Sequence, residues 1–400
     1  MAQIVVVGAG PTGAAIALLL VRNGVRVKLI EASPNFERLF RGEGLMPSGL
    51  NALEQLGLLD LLANIPHQTI DAWEFLLSNK RLFRVEEPIE AGGKHCTTVS
   101  QPHLLRAIVE EAKTYLEFEF IQGQPVRELI YDASNRVSGV KLGSGKTIAA
   151  DLVIAGDGRN STVRKQAGLP LIQQHNNIDI LWFKLDSDRL SESENIFYSI
   201  LQGRDSFGLF RGSSNQLHIG WGLHADDNYA WQEVDWATKL AATSPPWLAE
   251  HILSHRHSLT NPMLLSVVVG RCDRWWIPGL LLLGDAVHPM SPIRAQGINM
   301  AFRDAIVAVN HLVPLLENAA DVTQIDAVLP LIQQEREPEI IRIQQLQKQE
   351  MAQAKLLHHS SFVRWGAKTF TPIIRPWIRA SWLKRQRQLR QGVTDVRLKL

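Results

Sequence analysis

Two cysteines in 400 residues, Cys96 and Cys272, are too few for a disulfide framework or a cysteine metal site. That scarcity fits a reducing, cytoplasmic setting. No uninterrupted apolar run reaches about 18 residues, which excludes a membrane-spanning helix. The apolar N-terminus lacks a basic leader and is broken by glycines, so it does not read as a signal peptide. Internal repeats and low-complexity segments are missing. His251, His255 and His257 read as a solvated helix end, and no metal is expected. What remains is a globular composition, 45% hydrophobic and 20% charged with a net charge of +2. The chain is long enough for two or three folding units.

Residues 4–13 read IVVVGAGPTG. The β-branched run Ile4–Val7 has the continuous apolar character of a buried parallel strand. Gly8 allows a tight turn, Gly10 lets the backbone approach a pyrophosphate, and Gly13 lets the next helix pack against the strand. Pro11 and Thr12 open that helix, whose N-terminal N–H groups and dipole favour an anion; Gly24 ends it. The strand VRVKLIE follows and ends in Glu31, placed to bind a ribose hydroxyl. Strand, glycine triplet, helix and acid together specify a nucleotide site. They leave open whether the dinucleotide is NAD or FAD.

Apolar periodicity places a helix after a loop carrying Arg38, Arg41, Gly42 and Gly44, an interrupted strand pattern over 73–98, and another helix over 101–115. FEFIQ returns to strand, and RVSGVKL with the GSG turn forms a hairpin. LVIAGDG is a second buried strand ending in glycines. From about 170 to 274 the βαβ rhythm gives way to short alternating strands with one Trp-rich helical stretch near 230–255. LLLLGDAVH restores the buried strand. The expected organisation is α/β: a Rossmann-like domain (1–72, 99–169 and 275–321) interrupted by a mostly antiparallel β substrate domain (73–98 and 170–274). Helices follow over 322–400.

AGDGRNSTVR (155–164) and LLLLGDAVHPMSPIRAQGINMAFRD (280–304) both follow apolar strands, where open α/β sheets place ligands. With the first motif, these segments resemble the single-component FAD-dependent monooxygenases of the para-hydroxybenzoate hydroxylase family. The resemblance covers most of residues 1–310. It implies that Gly8, Gly10, Thr12, Gly13 and Glu31 bind the ADP half of FAD, and that Arg41 and Gln101 approach the cofactor. It implies that Asp157 and Gly158 serve both FAD and NAD(P)H, and that Gly284 and Asp285 hold the ribityl chain. The stretch from Pro292 through Gln296, Gly297 and Ile298 to Asn299 would line the isoalloxazine ring. Helix-opening N–H groups there can stabilise negative charge on reduced flavin. Asp157 and Asp285 also admit a plainer role as turn or cap residues, and His288, close after Gly284 and Asp285, reads equally as a neighbour of the flavin or as a structural hydrogen bond to backbone. One position departs from the family: Ala295 stands where a glycine is usual. Alanine resists a positive φ, so the expectation is a differently shaped loop or a position that does not need that conformation.

The resemblance implies hydroxylation or epoxidation of a small aromatic or hydrophobic substrate, with NAD(P)H reducing the flavin and oxygen adding at C4a. A flavin-dependent reductase or dehydrogenase of a lipid-like substrate is the alternative, and a flavin-binding protein without turnover a third reading. No catalytic side chain is nominated. Trp182, Phe210 and Trp221 are candidate aromatic walls for the substrate, and equally candidates for core, since alternating strands bury one face. Expected partners are a small-molecule substrate and molecular oxygen, not nucleic acid. Over 362–400 ten Lys or Arg face one Asp, interleaved with Trp365, Phe370, Trp377 and Trp382. The favoured reading is a helix packed on the body; the other is a peripheral contact with anionic lipid.

Overall fold

A computed structural model describes residues 2–37, 43–174, 178–187, 194–224, 227, 230–317 and 320–400, with backbone alone at 361, 367, 368 and 370–374. Arg41 lies outside the described residues. The helices used below are α1 (Pro11–Arg22), α2 (Pro47–Gln55), α3 (Gln101–Ala112), α4 (Thr162–Gln166), α5 (Trp236–Thr243), α6 (Pro246–Ser254), α7 (Gln296–Glu317), α8 (Val322–His359) and α9 (Ser361–Gln391).

The apolar runs seen in the sequence become the centre of a six-stranded sheet. Its order is Trp276–Ile277, Leu280–Leu282, Leu152–Ala155, Gln3–Val7, Arg26–Glu31 and Phe118–Gln122. All neighbours are parallel except the first pair. Ile4, Val5, Val6, Val153, Ile154 and Leu281 are wholly buried, because elements pack on both faces. Val7, Ala155 and Leu282 lie side by side in register. The loops that follow them, at Gly8, Asp157 and Gly284, therefore emerge at one edge of the sheet.

A seven-stranded sheet holds the alternating strands. Its order is Met263–Leu265, Ile178–Leu185, Leu217–His224, Asp205–Arg211, Ile196–Gln202, Ala72–Leu77 and Lys80–Glu86. It is antiparallel except where Ile196–Gln202 pairs with Ala72–Leu77. The period of two separates its faces. Leu181, Phe183, Leu185, Ile219 and Trp221 pack with Trp236, Leu240 and Leu248 of α5 and α6. Trp182, Lys184, His218 and Phe210 lie on the other face. The expected solvated histidine end of α6 is so only in part: His257 is exposed and His255 half-buried, whereas His251 is buried and its Nε2 lies 2.9 Å from the Asp186 carbonyl.

Behind the third motif, α7 and α8 enclose a chain of charges. The Asp304 carboxylate accepts from the Gly284 N–H (3.0 Å) and Arg336 Nε (2.8 Å), and meets His288 Nε2 at 2.7 Å. Arg336 also pairs with Glu339, which accepts from Arg303 (2.9 Å) and from the Val393 N–H (2.6 Å). Asp304, Arg336 and Glu339 are fully buried. Burial alone would raise the Glu339 pKa, but Arg336 and Arg303 hold it down at about 2. A carboxyl depressed on folding adds stability above its ordinary value and loses it as pH falls through the folded one. Glu339→Gln should therefore cost about 3–5 kcal/mol at neutral pH, since it leaves buried guanidinium groups uncompensated. It should also flatten the acid limb between about pH 4.5 and 2; denaturant titrations across that range check both.

Candidate cofactor and substrate site

The first motif is fixed by close backbone approach. A Cβ on Gly13 would lie 1.8 Å from the Gly8 carbonyl oxygen, so α1 can meet the strand only through a glycine. Gly8 has φ +94°, and a Cβ there would lie 2.7 Å from the Gly156 carbonyl. Gly10 is different: beyond its chain neighbours, a Cβ there would come no nearer than 3.9 Å, to the Gly156 carbonyl oxygen, which leaves its backbone open to a ligand. Glu31 is buried, accepting from the Ala9 N–H and the Ser33 N–H, both at 2.8 Å.

Thr12 joins the three motifs. Its hydroxyl lies 2.3 Å from where a Cβ of Gly284 would stand, and its Cβ 3.3 Å from that of Gly156. Gly284 itself has φ +60°. Arg164 ties the second motif to the third by donating to the Ala286 carbonyl at 2.6 Å. One oxygen of Asp157 accepts from the Thr162 and Val163 N–H groups at the start of α4 (2.9 and 3.2 Å), which is the plainer capping role. Its Oδ1 is buried with no hydrogen-bond partner among the described residues, and burial raises the carboxyl pKa. Gly158 has φ +83° with open space around it. Asp285 is exposed, with an oxygen 3.6 Å from where a Cβ of Gly297 would stand.

The loop Pro292–Asn299 reaches α7 through two left-handed residues, Arg294 (φ +59°) and Ala295 (φ +48°). Ala295 thus keeps the conformation that the sequence reading doubted an alanine would adopt. A hydrogen bond holds it there and a glycine makes room for it. Asn299 Nδ2 donates to the Ala295 carbonyl at 2.6 Å, and the Ala295 methyl stands 2.8 Å from the missing Cβ of Gly44. Asn299 Oδ1 also accepts from the Met46 N–H at 2.9 Å. Asn299 is therefore a brace between loops. The Gln296 side chain is turned inward as well, donating to the Leu389 carbonyl at 2.8 Å, so residues 296–298 offer a ligand backbone N–H groups. His288 is buried against Trp275, in contact with Asp304 rather than with a backbone carbonyl.

A cleft between the nucleotide loops and the seven-stranded sheet is lined by Gly10, Gln101, Glu43, Lys184 and Ser213, among others. Gln101 thus stands beside the first motif. Glu43 accepts from the Ser213 N–H at 2.9 Å; burial raises its pKa, against the pull of Ser213 and Lys184. Sequence reasoning missed Glu43, Lys184 and Ser213, which come together only through pairing distant in the chain. It also missed Asp304 as the anchor of Gly284. Of the aromatic candidates, Trp182 and Phe210 pack edge to face on one side of the sheet with ring centroids 6.1 Å apart. Trp221 does not join them. It is wholly buried on the opposite face against Trp236, because it falls one residue out of phase with His218 and Gly220.

A family model described as an FAD binding domain matches residues 1–338. The chain belongs to that family. It is a flavoprotein monooxygenase. It is 33% identical to 6-methylpretetramide 4-monooxygenase of Streptomyces rimosus, over 76% of this chain and 74% of that one. It is 26% identical to 3-demethoxyubiquinol 3-hydroxylase of Escherichia coli, over 82% of this chain and 83% of that one. Among solved structures, PqsL of Pseudomonas aeruginosa in complex with 2-aminobenzoylacetate superposes with a TM-score of 0.78 at 20% identity, covering 90% and 97% of the two chains. That last likeness is one of fold.

The flavoprotein's own residues fit FAD. Open space at Gly10 and Gly158, the Asp157 oxygen without a partner, and an exposed Asp285 beside the start of α7 are what a dinucleotide along this edge requires. Asp285→Ala should weaken FAD binding about 10- to 150-fold, the equivalent of a charged hydrogen bond of about 1.5–3 kcal/mol. Flavin titration of the apoprotein measures it; unchanged affinity would place the ribityl chain elsewhere.

Proposed function

We propose that this flavoprotein is an NAD(P)H-driven hydroxylase of a small aromatic or hydrophobic substrate bound between the flavin and the seven-stranded sheet. The observation that carries this reading is a row of aromatic rings on the face of that sheet that also carries Lys184 of the cleft. Trp182, Phe210, Phe197 and Trp73 form a continuous row there, with centroid separations of 6.1, 5.6 and 4.7 Å. The Arg294 guanidinium, from the loop before α7, lies 5.0 Å from the Trp73 ring. The relatives' names, a monooxygenase of 6-methylpretetramide and a hydroxylase of 3-demethoxyubiquinol, support the same reaction class.

Bound FAD supplies reduction by NAD(P)H and activation of oxygen at C4a. The rest falls to the chain. Gly8, Gly10, Gly13 and Glu31 would hold the ADP half, and Asp157, Gly158 and Asp285 the middle of the cofactor. Backbone N–H groups of Gln296, Gly297 and Ile298 at the start of α7 would favour negative charge on the reduced ring. The aromatic row would shield the sheet side of the substrate from water. Glu43, Lys184 and Ser213 form the polar end of the cleft. Because burial raises its pKa, the Glu43 carboxyl holds a proton to higher pH than an exposed glutamate and can offer it to a substrate oxygen. His218, behind Trp182 and Phe210, has its pKa lowered to about 3 by burial and Lys184, so the sheet face gains no charge from it.

The test is oxygen uptake with NADH or NADPH across a panel of phenols and aromatic acids, followed by mass spectrometry under ¹⁸O₂. One labelled oxygen atom per product molecule is expected. Substrate reduction without oxygen uptake would overturn the reading. Trp182→Ala should raise KM for a hydroxylated substrate with FAD still bound. Trp221→Ala should instead lower stability by about 3–5 kcal/mol, the cost of emptying a core tryptophan site. Denaturant melts beside steady-state kinetics separate the two.

A further inference from the structure

Helix α9 divides into two parts of opposite character. From Trp382 onward it is packed. Trp382 lies over Phe75 and Phe83 with ring centroids at 5.3 and 5.8 Å, Leu389 enters the nucleotide-domain core, and buried Arg390 pairs with Glu87 and Glu90. The earlier part shows several large side chains to solvent. Phe362 is 76% exposed, Trp377 80% and Trp365 55%, and Leu356 at the end of α8 is 56% exposed. No acidic residue occurs between Glu350 and Asp395, a stretch containing nine Lys or Arg. Arg375, Arg379, Lys384 and Arg387 are exposed and pair with no carboxylate among the described residues.

We propose that the α8–α9 corner and the first half of α9 dock on an anionic lipid surface, with Phe362, Trp365 and Trp377 entering the headgroup boundary. Exposed aromatics flanked by unopposed cations are the two parts of an interfacial helix: apolar area to bury, and charge attracted to anionic headgroups. Charge complementarity selects this occupant. A second copy laid on the same face would set one cationic stripe against another, which like-charge repulsion opposes. The helix cannot cross the bilayer, since no helix among the described residues is long and apolar enough. The contact is therefore peripheral, and the packed half of α9 holds it against the sheet that carries Trp73 and Phe75.

The test uses the full-length protein loaded with FAD, floated with vesicles of phosphatidylcholine alone or with one-quarter phosphatidylglycerol. At 50 mM salt, binding to anionic vesicles should exceed that to neutral ones at least tenfold. It should fall several-fold at 500 mM, as the screening length shortens. Trp377→Ser with Phe362→Ser, and separately Arg375→Gln with Arg379→Gln, should each cut binding at least fivefold. FAD content and melting temperature should stay unchanged, because these side chains are exposed. Absence of binding to anionic vesicles at low salt would overturn the proposal, as would binding that neither pair of substitutions reduces. Sedimentation velocity without lipid supplies the remaining outcome: a dimer that the same substitutions dissociate would assign this face to a second copy of the chain.

Discussion

The site depends first on how closely three stretches of backbone approach at the edge of the parallel sheet. The Gly8 carbonyl occupies the space where a Cβ of Gly13 would stand, the Gly156 carbonyl crowds Gly8, and Thr12 crowds Gly284. Each contact is shorter than any side chain would permit, so glycine at 8, 13 and 284 is a steric requirement. The consequence is geometric. Strand ends that are 148 residues apart at Val7 and Ala155, and 127 more at Leu282, release their loops side by side, and one extended dinucleotide can touch them all. The positive φ of Gly8 and Gly284 is the backbone's way of turning out of the sheet without colliding with its neighbour.

Such an edge needs support from behind, and the Asp304 carboxylate provides it. By accepting from the Gly284 N–H while paired with Arg336 and His288, it fixes the third loop to α7 and α8. Glu339 extends the same chain of charge to Val393, beyond the end of α9. Ion pairs buried this deeply contribute little net stability compared with apolar packing, but removing one partner is costly. Their effect here is to lock the registration of two helices and the terminal segment onto the loop that carries Asp285.

The fold was legible where a local pattern carries a long-range consequence. The Ile4–Val7 run, the glycine triplet and the helical periodicities reported strand, turn and helix, and the loss of βαβ rhythm reported the second sheet. Face assignment within that sheet was not legible. Trp182 and Trp221 sit on strands with similar alternation, and only the pairing register sets Trp182 opposite Gly220 and so turns Trp221 toward α5. Glu43 and Ser213 were invisible for a related reason: their hydrogen bond joins residues 170 positions apart, and no spacing rule spans that distance. The tail could not be resolved from composition because tryptophan buries area equally well in a core or in an interface. Burial at Trp382 and exposure at Trp377 show that both fates occur within one helix.

Ala295 shows how a local rule can be broken when the surroundings compensate. A left-handed conformation costs a non-glycine residue on the order of 1–2 kcal/mol, and Arg294 beside it adds a second such residue. Three interactions oppose that cost. Asn299 Nδ2 holds the Ala295 carbonyl, Glu350 accepts from Arg294 Nε at 2.9 Å, and the Arg294 guanidinium rests over Trp73 and Trp382. The alanine methyl fits only because residue 44 has no Cβ, so the glycine absent from position 295 is matched by the glycine present at 44. Strain of this kind persists where neighbouring contacts over-determine the backbone. Here they do so at the turn that leads into the first N–H groups of α7. The Arg294 side chain is, in turn, what connects that turn to the aromatic face of the seven-stranded sheet.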